Sequence, residues 1–76
     1  MVRAFVLVNI EASKHYEAFD KIKEIEGVKE AHIVTGLHDV ILLAEANSIK
    51  ELGELIVKNI QSVPGVSRTV TCIAVD

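Results

Sequence analysis

The sequence has few of the residues on which catalytic, metal-binding and disulfide-stabilised proteins depend. It contains no tryptophan, three other aromatic residues and a single cysteine among 76 residues. One cysteine excludes an internal disulfide and is typical of a reducing compartment, so we expect a cytoplasmic protein. No H-x₃-H or C-x₂-C spacing occurs, which argues against a metal site. Half of the residues are hydrophobic, so the core must be built from Val, Ile, Leu and Ala.

Long apolar runs and clustered positive charge are also missing. The longest clean apolar runs, Ala4–Val8 and Val40–Ala44, have five residues each, which is too short to cross a membrane. The eight lysines and arginines are scattered and the net charge is −3, whereas nucleic-acid binding requires a basic surface. We therefore expect no membrane insertion and no direct contact with nucleic acid.

The periodicity of the chain predicts one domain over residues 1–76 in which strands and helices alternate. Apolar residues alternate with a period of two in the predicted strands and recur at helical spacing in the predicted helices. The predicted strands cover residues 2–10, 28–35, 38–46 and 66–75, and the predicted helices cover residues 13–26 and 48–63.

Each predicted helix has a start signal and an apolar stripe. Ser13 is expected to cap the first helix, and Ser48 with Glu51 has the S-x-x-E spacing of a capping box. The expected stripes are Tyr16, Phe19, Ile22 and Ile25 in the first helix and Ile49, Leu52, Ile56 and Ile60 in the second, with Leu55 and Val63 beside the latter.

Two glycines have different expected roles in these helices. Gly27 should end the first helix in a left-handed conformation. Gly53 lies inside the second helix, where glycine costs about 1 kcal/mol relative to alanine. It either permits close packing on the sheet or is tolerated without such a reason, and the residues alone favour neither.

The first and third strands are apolar on both alternating faces, which is typical of central strands, whereas the second and fourth carry polar residues, as edge strands do. Right-handed crossovers give the same order, 4-1-3-2. The prediction is therefore a ferredoxin-like βαββαβ α+β sandwich with both helices on one face. The other face would expose an apolar patch on the order of several hundred Å², so we expect an obligate dimer.

No catalytic set emerges from the titratable residues. A two-residue type II′ turn at Gly36-Leu37 would make His32 and Asp39 diagonal neighbours, and a surface ion pair is favoured there over a catalytic unit. His15 is expected to be solvated. Cys72 is expected to be buried and inert, because it lies in the middle of a strand, whereas reactive thiols need a helix N-terminus or nearby cations.

Two polar features remain as a candidate ligand site. The turn at residues 36–39 offers backbone N–H groups beside the carboxylate of Asp39, and Ser67, Thr69 and Thr71 form a polar stripe. An amino acid needs donors for its carboxylate and an acceptor for its ammonium group. The alternative, which the residues alone favour, is that Asp39 satisfies its own turn and the threonines are ordinary edge-strand residues.

Three local motifs bear a family resemblance. They are EGV at residues 26–28, TGLHDV at residues 35–40 and VPGVSRTVT at residues 63–71. In order and spacing the chain resembles the C-terminal regulatory domain of the leucine-responsive/AsnC (feast/famine) transcription regulators, which commonly show T-G-x-Y-D and P-G-V-x-x-T-x-T.

The resemblance implies a RAM domain (regulation of amino-acid metabolism), which has no catalytic residues and no cofactor. Such domains dimerise through their sheets, assemble into octamers or related rings and bind amino-acid effectors between dimers. It places the effector site at Gly36, His38, Asp39, Thr69 and Thr71. His38 replaces the usual tyrosine, which leaves the effector unspecified.

The chain departs from the family because Met1 begins directly on the first strand. We expect a RAM module without the helix-turn-helix, able to co-assemble with full-length regulators. Three alternatives stay open: a small dimeric α+β barrel enzyme (a cofactor-free monooxygenase or an isomerase), an ACT-like amino-acid-binding module, and a purely structural assembly protein. The single tyrosine and the lack of tryptophan argue against the enzyme.

Overall fold

The computed structural model describes residues 1–76, except for the side chain of Leu55, so the predicted place of Leu55 beside the second stripe lies outside the described residues. Strands and helical segments alternate as predicted. The strands are β1 (Val2–Ile10), β2 (Val28–Ile33), β3 (Val40–Ala46) and β4 (Val66–Ile73). The first helical segment is a 3₁₀ turn (Ala12–Lys14) followed by α1 (His15–Lys23), and the second consists of α2 (Ile49–Glu51), a π-helical turn (Leu52–Val57) and α3 (Lys58–Gln61).

The four strands form one antiparallel sheet in the order β2-β3-β1-β4. The predicted order is confirmed, with the two strands that are apolar on both faces at the centre. β2 and β4 lie at the edges, where their polar side chains face solvent on at least one side.

One face of the sheet carries the core. The even-numbered side chains of β1 and β3 point to this face, and all of them except the partly buried Val2 are buried under the helical segments, so the prediction that both helices share one face is confirmed. The buried residues are Ala4, Val6, Val8 and Ile10 from β1, Val40, Leu42, Ala44 and Ala46 from β3, and Ala18, Ile22, Leu52, Ile56, Ile60 and Val63 from the helical half.

The opposite face, which we call the helix-free face, is apolar at its centre and uncovered in a single chain. Phe5 is 47% exposed there, and it lies opposite Leu43 on one side and Cys72 on the other. Cys72 is exposed, so the prediction of a buried cysteine is wrong for one chain, because an edge strand on an uncovered face shields it poorly. The apolar part of this face consists of Phe5, Leu7, Ile41, Leu43, Val70 and Cys72.

Two members of the predicted helical stripes lie outside the core. Tyr16 is 76% exposed and Ile49 is 60% exposed. At about 100° per residue, Tyr16 lies about 120° around the helix from Ile22, which together with Ala18 defines the buried side of α1. Ile49 lies in the first turn of its helix, where side chains lean back towards the N-terminus and away from the sheet.

Of the two predicted caps, one forms. The Ser48 hydroxyl accepts the N–H of Glu51 at 3.0 Å, and the Glu51 carboxylate accepts the N–H of Asn47 at 3.2 Å. Ser13 does not cap α1, because it lies within the 3₁₀ turn and makes no side-chain hydrogen bond to the helix end. The chain enters α1 through that turn instead of through a separate capping residue.

The surroundings of Gly27 and Gly53 show which of their expected roles apply. Gly27 has a φ of +98°, as predicted, and a Cβ added there would lie 2.5 Å from Cδ1 of Ile56 and 3.2 Å from the carbonyl oxygen of Glu45. A Cβ on Gly53 would meet no described atom within 4 Å. Close packing therefore does not explain Gly53, and the tolerated-glycine alternative stands.

We expect Gly27→Ala and Gly53→Ala to change stability in opposite directions. The first should lower the free energy of unfolding by about 1–3 kcal/mol, because it adds a strained φ and a steric overlap. The second should raise it by about 0.5–1 kcal/mol, because it removes glycine from a helix interior. Urea unfolding of both variants measures this, and equal effects would contradict the packing described for Gly27.

Candidate functional site

The connection between β2 and β3 is a six-residue loop, residues 34–39, and not the predicted two-residue turn. Val34 does donate its N–H to the carbonyl of Asp39 at 2.9 Å, but no described hydrogen bond closes a turn between Thr35 and His38. The loop bends onto the end of β1 instead, where the N–H of Asp39 donates to the carbonyl of Val8 at 2.9 Å. Gly36 has a φ of +117°, which favours glycine at the tip of this loop.

Asp39 is anchored between β1 and α1. Its Oδ2 accepts the backbone N–H of Ile10 at 2.8 Å, where the pairing of β1 with β4 shifts register between Asn9 and Ile10. Its Oδ1 lies 3.5 Å from Nε2 of His15, with 29% of the Asp39 side chain and 36% of the His15 side chain exposed. The structural role that the residues alone favoured is therefore present, although Asp39 satisfies β1 rather than its own turn.

The predicted His32–Asp39 contact does not form. His32 instead places Nε2 3.4 Å from Oε1 of Glu30, and both side chains are exposed. The bend of the loop carries Asp39 away from β2, so its histidine neighbour is His15. The expectation that His15 is simply solvated is wrong to that extent.

Asn9 joins the loop to the sheet. Its Nδ2 donates to the carbonyl of Leu37 at 2.9 Å, and its Oδ1 lies 2.9 Å from Nδ1 of His38. Its backbone carbonyl accepts the hydroxyl of Ser67 on β4 at 3.1 Å. The sequence-based site omitted Asn9, although a lone polar residue near the end of the apolar VRAFVLVNI strand was the available signal.

Thr69 and Thr71 lie in a second group, on the edge strand β4. They are opposite Val8 and Val6 of β1, and the Thr69 hydroxyl accepts Nε2 of Gln61 at 3.0 Å. A shallow cavity of about 220 Å³ lies beside them, lined by Gln61, Val66, Ser67, Arg68 and Thr69. β1 separates this edge group from the loop group of Gly36, His38 and Asp39 by two strand spacings of about 4.8 Å each. One chain therefore does not bring the five predicted residues together.

The largest cavity described lies among other residues. It has a volume of about 510 Å³ and is bounded by the end of β3, the turn after α1 and the second helical segment; its charged lining residues are Glu26, Lys29, Glu45 and Glu51. It contains none of the predicted site residues, and one of its carboxylates, Glu51, is occupied by the N–H of Asn47. Volume alone therefore does not locate a site in this chain.

The loop group combines free donors with an acceptor. The backbone N–H groups of Gly36, Leu37 and His38 have no hydrogen-bond partner among the described residues, and the Asp39 carboxylate retains acceptor capacity beyond its bond to Ile10. These are the kinds of group that a ligand with both a carboxylate and a donor group requires. In the described part of the chain no three metal-ligating side chains come together, and no described helix has the length and hydrophobicity needed to span a membrane.

The comparisons with known proteins agree with the sequence motifs. A family model described as the Lrp/AsnC ligand-binding domain matches residues 3–76, so the resemblance inferred from the sequence is confirmed. An uncharacterised HTH-type transcriptional regulator of Pyrococcus furiosus is 32% identical over 74 residues, covering 93% of this chain and 49% of the relative. A homocitrate synthase of Sulfurisphaera tokodaii is 33% identical over 73 residues, covering 95% of this chain but only 16% of the enzyme. The chain thus spans about half the length of the curated regulators it matches.

Solved structures confirm the ferredoxin-like fold. The crystal structure of TTHA0845 from Thermus thermophilus superposes with a TM-score of 0.93 at 32% identity, covering 100% of this chain and 95% of that one. The feast or famine regulatory protein Rv3291c from M. tuberculosis, complexed with L-methionine, superposes with a TM-score of 0.85 at 26% identity. This chain is covered completely in that superposition, and 51% of the regulator is covered.

The anchoring of Asp39 yields a stability prediction. Asp39→Ala should lower the free energy of unfolding by about 1–3 kcal/mol, because the partly buried N–H of Ile10 loses its acceptor. Asp39→Asn retains an oxygen at this position and should cost distinctly less. Urea unfolding of both variants tests this, with Asp20→Ala on the exposed side of α1 as the control; equal stability of all three would exclude the anchoring role.

Proposed function

We propose, because the chain belongs to the Lrp/AsnC ligand-binding domain family, that it is a self-assembling module that binds an amino acid or a similar small effector. In this proposal the chain is a regulatory component and not an enzyme. The effector would lie where the loop group of one copy meets the edge group, Thr69 and Thr71, of another copy.

The observation that carries the proposal is the pairing of donors and acceptor in the loop group. Three successive free N–H groups, those of Gly36, Leu37 and His38, suit a carboxylate, and the Asp39 carboxylate beside them suits an ammonium group. Both groups occur on every free amino acid. The binding of L-methionine by the mycobacterial regulator named above, at 26% identity, supports the same class of ligand for this chain.

The proposed assembly follows from the helix-free face. Phe5 is 47% exposed there, among Leu7, Ile41 and Leu43. Burying apolar surface stabilises an assembly by about 25 cal/mol for each Å² removed from water. A second copy that packs its own helix-free face here would cover both patches symmetrically. Further assembly of such dimers into an octamer or another ring would bring loop groups next to edge groups, which a single chain keeps apart.

Two kinds of protein are candidates for the partner that this module would regulate. Co-assembly with full-length regulators of the family is the first, since the curated regulators carry a segment of this kind in about half their length. Control of a biosynthetic enzyme is the second, and the match to part of a homocitrate synthase favours it. With either partner, the role of this chain would be to bind the effector.

A thermal-shift screen of the twenty amino acids tests the effector. We expect at least one to raise the melting temperature, because a ligand at about 100 times its Kd stabilises the folded state by about 2.7 kcal/mol. Asp39→Asn, which keeps the anchor to Ile10, should abolish that shift, and the matched control Asp20→Asn should retain it. Flat melting curves for all twenty, or a shift that survives Asp39→Asn, would refute the proposed site.

Sedimentation of two lysine variants tests the assembly. Phe5→Lys should raise the dissociation constant of the dimer by about 30-fold or more, since losing a central aromatic contact costs about 2 kcal/mol or more. Tyr16→Lys is the control, because Tyr16 is a still more exposed aromatic residue on the helix side. A monomeric wild-type protein, or equal effects of the two variants, would contradict an interface on the helix-free face.

A further inference from the structure

We infer that two copies of the chain recognise each other through a notch on the helix-free face. Phe5 of each copy fills the notch of the other copy, and Arg3 of each copy pairs with Glu45 of the other. The inference rests on the assembly put forward under the proposed function, and it names the contacts that hold the two copies together. The partner that fits the notch is thus a second copy of this chain.

The notch lies beside Phe5 and has a volume of about 130 Å³. Ile41 and Leu43 of β3 line it, with Phe5 of β1 on one side and Glu30 and His32 of β2 on the other. The side chain of Phe5 is itself 47% exposed. Each copy therefore carries an exposed aromatic ring and an apolar recess next to each other on one face.

The strand order limits how two copies can overlap. In the order β2-β3-β1-β4, the centre of the sheet lies between β1 and β3. Two copies that join through the same face are related by a two-fold axis in the plane between their sheets. An axis that is parallel to the strands and passes between β1 and β3 lays the two sheets fully over each other. It places β1 of each copy over β3 of the other copy.

The register of β1 and β3 then determines which side chains meet. Phe5 lies directly opposite Leu43, and Leu7 lies opposite Ile41. An axis parallel to the strands exchanges β1 and β3 without moving residues along them. Phe5 of one copy therefore lies over Leu43 of the other, which is the residue between the two walls of the notch. The same operation places Leu7 over Ile41, so apolar side chains meet apolar side chains.

The charges at one end of these strands favour the same arrangement. Arg3 lies opposite Glu45, two residues along from Phe5 and on the same face. Neither residue makes an ion pair within the described part of the chain. The axis parallel to the strands brings Arg3 of each copy over Glu45 of the other. An axis perpendicular to the strands at Phe5 would instead lay Arg3 over Leu7, where its charge would lose water without gaining a partner.

The two kinds of contact have different roles. Sheets that pack face to face lie about 10 Å apart and cross at about 30°, a separation that the long side chains of Arg3 and Glu45 can span together. An ion pair at the rim of an interface contributes more to orientation than to affinity. The aromatic ring of Phe5 in an apolar recess is the kind of contact that carries affinity.

Mixing two variants tests the contact between Phe5 and the notch. Phe5→Ala leaves the notch without its occupant, and Leu43→Phe fills the notch and overlaps with that occupant. Dimers of like copies have two cavities or two overlaps, whereas the mixed dimer keeps one native contact and sets alanine against phenylalanine. We expect the equilibrium constant for forming mixed dimers from like dimers to exceed its statistical value by about tenfold or more.

Native mass spectrometry of an equilibrated mixture counts the three dimers, because the variants differ in mass. Phe5 and Leu43 are also neighbours within one chain, but every chain keeps the same internal pair in like and mixed dimers, so effects within the chain cancel. Tyr16→Ala, on the helix side, mixed with Leu43→Phe is the control and should give the statistical composition. A statistical composition for Phe5→Ala with Leu43→Phe, or an excess of like dimers, would overturn the inference.

A charge exchange tests the orientation of the two copies in the same way. Arg3→Glu and Glu45→Arg each place like charges together in their own dimers, and the mixed dimer restores two opposite pairs. We expect an excess of mixed dimers that decreases as salt is added. Lys21→Glu with Glu24→Lys makes equivalent changes on the exposed side of α1 and should mix statistically. An equal excess for both mixtures would show that net charge alone is responsible and would exclude the pairing.

A measurement on the unsubstituted chain decides the question if a variant does not fold. Dimers are assembled from ¹³C-labelled and unlabelled copies, and isotope-filtered NMR detects only contacts between the two. We expect cross-peaks from the ring of Phe5 in one copy to the methyl groups of Leu43 in the other. Dimers without these cross-peaks would overturn the notch contact and leave the proposed assembly standing. If the chain is a monomer, the proposed assembly fails and this inference fails with it.

Discussion

Side-chain alternation along β1 and β3 is the constraint on which the structure depends. Both strands are apolar on both sides, and their even-numbered residues supply the core beneath the helices. A chain of 76 residues provides one layer of helices, so the odd-numbered residues Phe5, Leu7, Ile41 and Leu43 form a second apolar surface that this chain does not cover. In the proposed assembly, a second copy of the chain buries that surface.

The same alternation connects the apolar face with the proposed effector site. Asn9 follows Phe5 and Leu7 at intervals of two residues, so it lies on the helix-free side at the end of the same strand. Its amide holds the loop through Leu37 and His38. In the proposed assembly, a contact between copies at this face would lie directly beside the loop, and β1 would connect effector binding with assembly by a short path.

The features of the fold that were predictable depend on local patterns. Apolar residues on both alternating faces identified the central strands. The S-x-x-E spacing identified the cap at Ser48, and the position of Gly27 after the first helix predicted its positive φ. Each of these follows from residues within a few positions of one another.

The features that were mispredicted depend on contacts between distant residues. The turn at Gly36 has a strong local signal for a tight hairpin, but the hydrogen bond from Ile10 to Asp39, 29 residues apart, bends the loop onto β1. The partnership of Asn9 with His38 spans the same separation. In the first helix, the spacing of Tyr16 matched an apolar stripe, but the packing of Ala18 and Ile22 set the rotation of the helix. Local patterns contain no information about which of these contacts prevails.

Alkylation of Cys72 measures the covering of the helix-free face most directly. Cys72 is the chain's only thiol, it is exposed in a single chain, and it lies opposite Phe5 on that face. The account predicts that the native thiol reacts much more slowly than that of the urea-unfolded chain, and that its rate rises as the protein is diluted and the copies separate. A native rate equal to that of the unfolded chain at every protein concentration would show that the face is open to water and would contradict the account.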